Sequence, residues 1–137
     1  MQAIYQYTYQ QIYFDPSTKF MKQVWLPTTK KIDESDFKNQ MLEMFRWVKS
    51  EKPAYFLGNT QELFFAIDPL LQDWVNENIN LKSENIKAAF LVSQDFYAQL
   101  GLSQTIDDLL ENEIFKQNPK DIAFFPTEEE AIQWLFS

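Results

Sequence analysis

The stretch IKAAFLV, residues 86–92, decides the fold of this chain. It is short and almost continuously apolar, a pattern typical of a central strand that is covered on both faces of a sheet. Two shorter apolar runs, at residues 54–57 and 122–125, predict two further strands. The segments between these runs therefore decide whether neighbouring strands are parallel.

Those segments carry helix start signals. Asp33 and Asp68 each stand where a capping carboxylate is favoured, and Asp68 is followed by a proline suited to the first helical position. Thr127 and Glu130 form a capping box before a last helix, and Asp95 is placed to begin another. Helices that alternate with short apolar strands predict parallel crossovers.

The N-terminal residues have a different pattern. Tyr5, Tyr7 and Tyr9 alternate with polar residues, and the apolar phase then shifts near residues 10–11, which predicts one strand over residues 3–14 with a bulge. The sequence DPST at residues 15–18 favours a type I turn into a second strand. We therefore predict a single α/β domain over residues 1–137, with a five-stranded mixed sheet. An N-terminal antiparallel hairpin precedes parallel βαβ units, and about four helices cover the sheet.

The composition excludes several classes of function. The 137 residues contain no histidine and no cysteine, which removes the commonest general base, the thiol nucleophile and the usual zinc ligands. The formal net charge of −8 disfavours nucleic acid, and no apolar run is long enough to span a bilayer. We therefore expect no enzymatic activity, no metal or cofactor and no membrane span. The N-terminus lacks the pattern of a secretory signal, so a cytoplasmic location is expected.

Three local features carry a family resemblance. The first is the strand pair that carries Trp25 and leads into a capped helix. The second is NTQ at residues 59–61, followed by IDP at 67–69 and QDW at 72–74, and the third is FPTEEEA at residues 125–131, which runs into a Trp-Leu pair. Together they resemble the anti-sigma-factor antagonist (STAS)-like α/β family, in particular its single-domain members of unassigned role.

The resemblance implies a candidate site at the start of the loop after residue 58. Regulatory members of that family carry an Asp-Ser or Asp-Thr pair whose hydroxyl is phosphorylated. The matching positions here are Asn59 and Thr60, so an asparagine stands in place of the aspartate. The alternative interpretation is a polar turn in which both side chains bond the local backbone.

The same loop contains unexpected apolar residues. Leu63, Phe64 and Phe65 either fold back onto the core, line a ligand pocket or face a partner. The candidate partner or phosphoacceptor loop comprises the following residues: Asn59, Thr60, Gln61, Leu63, Phe64 and Phe65. A second candidate surface is an aromatic ridge formed by the three N-terminal tyrosines, for which ordinary packing is the alternative.

The leading hypothesis is a non-enzymatic domain that binds another protein through residues 59–67, and a homodimer is compatible with it. The alternative is a carrier or sensor of a small apolar, lipid-like ligand held between the sheet and its helices. A third hypothesis is a hydrolase that uses a carboxylate pair, either Asp68 with Asp73 or Asp107 with Asp108. Helix capping and solvated helix faces explain those carboxylates equally well.

Overall fold

A computed structural model describes residues 1–81, 84–93 and 121–137. Its strands form one six-stranded sheet in which the spatial order follows the order in the chain. The first three strands pair antiparallel, and the pairs from the third strand to the sixth are parallel. The α/β class and the mixed sheet are therefore confirmed. The strands are β1 (Gln2–Gln6), β2 (Gln10–Asp15), β3 (Phe20–Trp25), β4 (Tyr55–Asn59), β5 (Lys87–Leu91) and β6 (Ile122–Phe125).

The predicted number of strands is wrong by one, and the reason lies in residues 3–14. This segment contains two strands, β1 and β2, and not one bulged strand. The backbone N–H of Tyr7 donates to the Gln10 carbonyl at 3.0 Å and closes a tight turn over Thr8 and Tyr9. These turn residues include no glycine, asparagine or proline, so the sequence carries no turn signal here. A chain reversal and a bulge both shift the alternation of apolar and polar residues, and without that signal the two could not be told apart.

The described residues contain three α-helices, α1 (Glu34–Glu51), α2 (Pro69–Asn78) and α3 (Glu128–Leu135), and a short 3-10 helix at Pro27–Lys31. The three predicted caps are confirmed. Side-chain oxygens of Asp33, Asp68 and Thr127 accept from backbone N–H groups three residues ahead, at 2.7, 2.8 and 3.3 Å. About four helices were predicted, and the one expected after Asp95 lies outside the described residues.

The helices lie on opposite faces of the sheet. The face covered by α1 and α2, here called the helix-pair face, includes Phe56, whereas the next residue, Leu57, points to the face covered by α3. Successive strand residues point to opposite faces, so each parallel strand contributes to two cores. The core on the helix-pair face includes Ile12, Met21, Met44, Val48, Phe56 and Val75, and the core under α3 includes Phe20, Leu57, Ala89, Ala131 and Leu135.

Candidate functional site

The polar residues of the predicted loop anchor it to neighbouring strands. Asn59 Oδ1 accepts from the Gln61 backbone N–H at 3.0 Å, and Thr60 Oγ1 donates to the Leu91 carbonyl at 2.7 Å. Gln61 Nε2 donates to the carbonyls of Val92 and Pro126 at 3.1 and 2.9 Å. These bonds tie the start of the loop to the carboxyl ends of β5 and β6. Phosphorylation of Thr60 stays a prediction, and in this structure its hydroxyl bonds the backbone.

The apolar residues of the loop divide into two groups. Leu63 and Phe65 are half-buried and pack on a core cluster that contains Trp25 and Phe37, with the Phe65 and Phe37 ring centroids 5.2 Å apart. Phe64 points the other way and is 46% exposed. Folding back onto the core is therefore confirmed for Leu63 and Phe65 but not for Phe64.

A cavity of about 270 Å³ lies on the helix-pair face, between the sheet, α1, α2 and this loop. The described residues of its walls are almost entirely apolar and rich in aromatic rings. The polar side chains among its described lining residues are those of Gln23 and Thr60. The apolar lining comprises Trp25, Phe37, Met41, Met44, Phe56, Leu63, Ile67, Val75, Ile79, Leu81, Phe90, Val92, Ile122 and Phe124.

The floor of the cavity depends on a glycine. A Cβ atom at Gly58 would stand 2.8 Å from Phe90 Cδ1 and 3.2 Å from Phe56 Cε1. The Phe90 and Phe124 ring centroids are 6.0 Å apart on adjacent strands, so the floor continues onto β6. The absence of a side chain at residue 58 lets two aromatic rings lie across the sheet.

A chain of buried amides lies beside the cavity. Gln23 Nε2 donates to Gln10 Oε1 at 2.8 Å, and Gln10 Nε2 donates both to the Gln40 carbonyl, at 2.7 Å, and to Gln40 Oε1, at 3.0 Å. The Tyr5 hydroxyl donates to the same Gln40 Oε1 at 3.2 Å. Burial raises the pKa of Tyr5, although the hydrogen bond from its hydroxyl to Gln40 acts in the opposite direction. Tyr5 is therefore a neutral donor at physiological pH.

Sequence reasoning offered a ligand space between the sheet and its helices as an alternative but did not identify the residues that line it, and it missed the amide chain. The cavity residues come from β3, α1, β4, α2, β5, β6 and the loop, and no local spacing connects them. Gln10 is fully buried, but a glutamine in a short polar stretch gives no sign that it faces a core. The one usable signal was the apolar triplet at residues 63–65, because Leu63 lines the cavity.

The remaining candidates lie elsewhere. Asp68 is a helix cap, Asp73 is exposed on α2, and Asp107 with Asp108 lies outside the described residues. Of the three tyrosines, Tyr7 is 53% exposed and stacks on Tyr5, with ring centroids 6.1 Å apart. Across residues 1–81, 84–93 and 121–137, no cluster of three or more acidic side chains is arranged to hold a metal ion, and no helix has the length and apolar character needed to cross a bilayer.

The chain matches no protein-family model, no curated protein and no solved structure at a significant level. The resemblance to the STAS-like family therefore stays a prediction. What the structure shows is the α/β class, the mixed sheet and the cavity on its helix-pair face.

Proposed function

We propose that this domain binds a small apolar molecule in the cavity on its helix-pair face and acts as its carrier or sensor. The observation that carries the proposal is the cavity itself, a space of about 270 Å³ walled by side chains such as Trp25, Phe56 and Phe90. Ligand sites in proteins are concave, mostly apolar and supplied with a few polar groups, and this cavity has that composition.

Binding thermodynamics support the same proposal. An apolar occupant and the apolar side chains around it would leave water on binding, which is favourable by about 25 cal/mol per Å² of apolar surface. A molecule that binds only the folded protein stabilises it by mass action, so we expect an occupant to raise the free energy of unfolding.

Binding of a partner protein through residues 59–67 is the second candidate, and one observation favours it. Phe64 is an exposed aromatic residue held in place by its backbone, and Lys30 Nζ lies 5.0 Å from its ring centroid. Leu63 and Phe65 support the loop from below. The partner surface, on this hypothesis, is centred on Phe64 and not on the whole apolar triplet.

Native mass spectrometry of gently purified protein tests the ligand proposal. We expect a bound small molecule that is released on denaturation. Val75 is buried on α2 and lines the cavity, so Val75→Phe should place a larger side chain in part of the space and lower the fraction of protein that carries the bound mass. The same substitution at Val24, which points to the other face of the sheet, is the matched control and should retain it.

Stability measurements distinguish cavity filling from misfolding. Filling a cavity typically stabilises a protein by about 0.5–2 kcal/mol, so the Val75→Phe protein should unfold at the same or a higher urea concentration than wild-type protein from which the small molecule has been removed. Wild-type protein that carries no small molecule and also fails to bind added naphthalene derivatives would rule out the proposed function.

A further inference from the structure

We infer that the ligand of this cavity is uncharged and donates a hydrogen bond to the carboxamide oxygen of Gln23. This inference rests on the proposed function and adds a chemical class to it. It starts from a hydrogen bond whose direction is certain. At the end of the buried amide chain that is farthest from Gln23, Gln10 Nε2 donates to the backbone carbonyl of Gln40.

That backbone carbonyl fixes the orientation of the whole chain. A carbonyl can only accept, so Gln10 must present its nitrogen to Gln40 and its oxygen to Gln23. Gln23 must then present its own nitrogen to Gln10, since two carboxamide oxygens facing each other would repel. The oxygen of Gln23 therefore lies at the end of the amide directed away from Gln10.

Gln23 is only 3% exposed, yet it lines the cavity. No hydrogen bond to its Oε1 occurs within the described part of the chain. Among the described residues, the fully enclosed side-chain atoms without a partner are Trp47 Nε1 and the two amide atoms of Asn76, so Gln23 Oε1 keeps access to the cavity. An occupant of the cavity that carries an O–H or N–H would satisfy it.

Thr60 adds an acceptor of the same kind. Its hydroxyl hydrogen is directed to the Leu91 carbonyl, which leaves the lone pairs of Oγ1 to accept. One N–H of Gln23 is thus committed to Gln10, and the Thr60 hydroxyl hydrogen is committed to Leu91. The hydrogen-bonding groups left on these two side chains are two acceptor oxygens and the second N–H of Gln23, so acceptors predominate.

Charge and size limit the ligand further. None of the described lining residues is ionisable at neutral pH, so this part of the lining offers no counter-charge to a carboxylate or an ammonium group, whose burial against it carries a high desolvation cost. An apolar cavity of roughly 150 Å³ accommodates benzene. A cavity of about 270 Å³ suits a molecule of about two fused rings or an aliphatic chain of similar volume.

Isothermal titration calorimetry with three naphthalene probes tests this inference on the full chain. 2-Naphthol donates a hydrogen bond, 2-methoxynaphthalene can only accept one, and 2-naphthoate is an anion of the same ring system. We expect 2-naphthol to bind about tenfold more tightly than 2-methoxynaphthalene, a difference of about 1.4 kcal/mol, and 2-naphthoate not to bind.

A pair of matched substitutions assigns the effect to one residue. Gln23→Met keeps the length and removes the acceptor, so it should abolish the preference for 2-naphthol and leave the affinity for 2-methoxynaphthalene unchanged. Gln11→Met, on the neighbouring strand but directed to the opposite face, should keep the preference. If Gln23→Met does not unfold cooperatively, the probe series on the wild type still decides.

The outcomes separate this inference from the proposed function. If neither neutral probe binds the wild type, the proposed function fails and the inference with it. If both neutral probes bind equally, or if 2-methoxynaphthalene or 2-naphthoate binds best, the cavity is a ligand site. In that case the inferred hydrogen bond from the ligand to Gln23 is refuted. A preference for 2-naphthol that survives Gln23→Met would also overturn the role of Gln23.

Discussion

The backbone of Gly58 lies directly against the side chain of Phe90 on the adjacent parallel strand. A Cβ atom at residue 58 would stand 2.8 Å from Phe90 Cδ1 and 2.9 Å from Phe90 Cε1, closer than real Cβ contacts allow. Phe90 lines the cavity, so the missing side chain at residue 58 determines where one wall of the cavity lies. The packing of Gly58 against Phe90 therefore influences the shape of the cavity.

Gly58→Ala should lower the stability of the protein by about 1–3 kcal/mol, the usual cost of overpacking. Replacing a strand glycine by alanine favours the folded state by only about 0.5–1 kcal/mol, which is less than the steric cost of the added Cβ atom. Urea unfolding measures the change. In a Phe90→Ala background the same substitution should cost much less, because only the 3.2 Å approach to Phe56 remains. An equal cost in both backgrounds would contradict the assignment of the clash to Phe90.

Thr29 joins the 3-10 helix to the loop that borders the cavity. The residue is 1% exposed, and its hydroxyl donates to the Glu62 carbonyl at 2.7 Å. The Phe64 backbone N–H donates to the Thr29 hydroxyl oxygen at 3.0 Å. Thr29→Val keeps the shape but leaves these buried groups unpaired, so we expect a loss of about 1–3 kcal/mol in unfolding free energy.

Thr28→Val is the matched control for that substitution. The Thr28 hydroxyl also donates to a backbone carbonyl, that of Thr8, but in an exposed position where water can replace it. Denaturant titration of both variants should therefore show a clear loss for residue 29 and a change within about 0.5 kcal/mol for residue 28. Similar losses in the two variants would show that burial of Thr29 is not the deciding factor.

The same substitution at Phe64 and at Phe65 should change stability by very different amounts. Phe65→Ser removes a ring that packs edge-on against Phe37, and a loss of about 2 kcal/mol is expected for this half-buried side chain. Phe64→Ser removes an exposed ring and should change stability by less than about 0.5 kcal/mol. Thermal unfolding measures both. The Phe64→Ser protein is also the variant for testing partner binding, because it leaves the fold intact.

Local signals in the sequence were sufficient for most elements of the fold. The caps at Asp33, Asp68 and Thr127 each satisfy a backbone N–H three residues ahead, an interaction that depends only on neighbouring residues. The strand predicted from IKAAFLV is β5, and it pairs in parallel on both sides. Short-range chemistry and continuous apolar runs were therefore reliable guides.

The features that the sequence did not reveal depend on contacts between distant residues. Gln10, Gln23 and Gln40 form one hydrogen-bonded chain although they come from β2, β3 and α1. Each buried glutamine is tolerated only because the others provide its hydrogen-bond partners. No single segment of the sequence shows that these partners meet. The cavity has the same origin. It is space between elements, and only their relative packing defines it.

The Asp15 side chain offers a test of the β2–β3 turn by pH. Its Oδ1 accepts from the Ser17 hydroxyl at 2.7 Å and from the Ser17 backbone N–H at 3.0 Å, and these bonds hold the pKa of Asp15 below its ordinary value of 3.8. A carboxyl group whose pKa is lower in the folded state than in the unfolded state adds stability above the unfolded-state pKa. That stability is lost as the pH falls through the folded-state pKa.

Asp15→Asn keeps an acceptor for the turn but removes the titration. The wild type should therefore lose more unfolding free energy than Asp15→Asn between about pH 5 and pH 2, as measured by urea unfolding at each pH. Ser17→Ala removes the hydroxyl donor and leaves the backbone N–H, so its pH dependence should fall between the two. If the wild type and Asp15→Asn lose stability in parallel across this range, the Ser17 hydrogen bonds do not favour the charged carboxylate, and the turn depends on its backbone geometry alone.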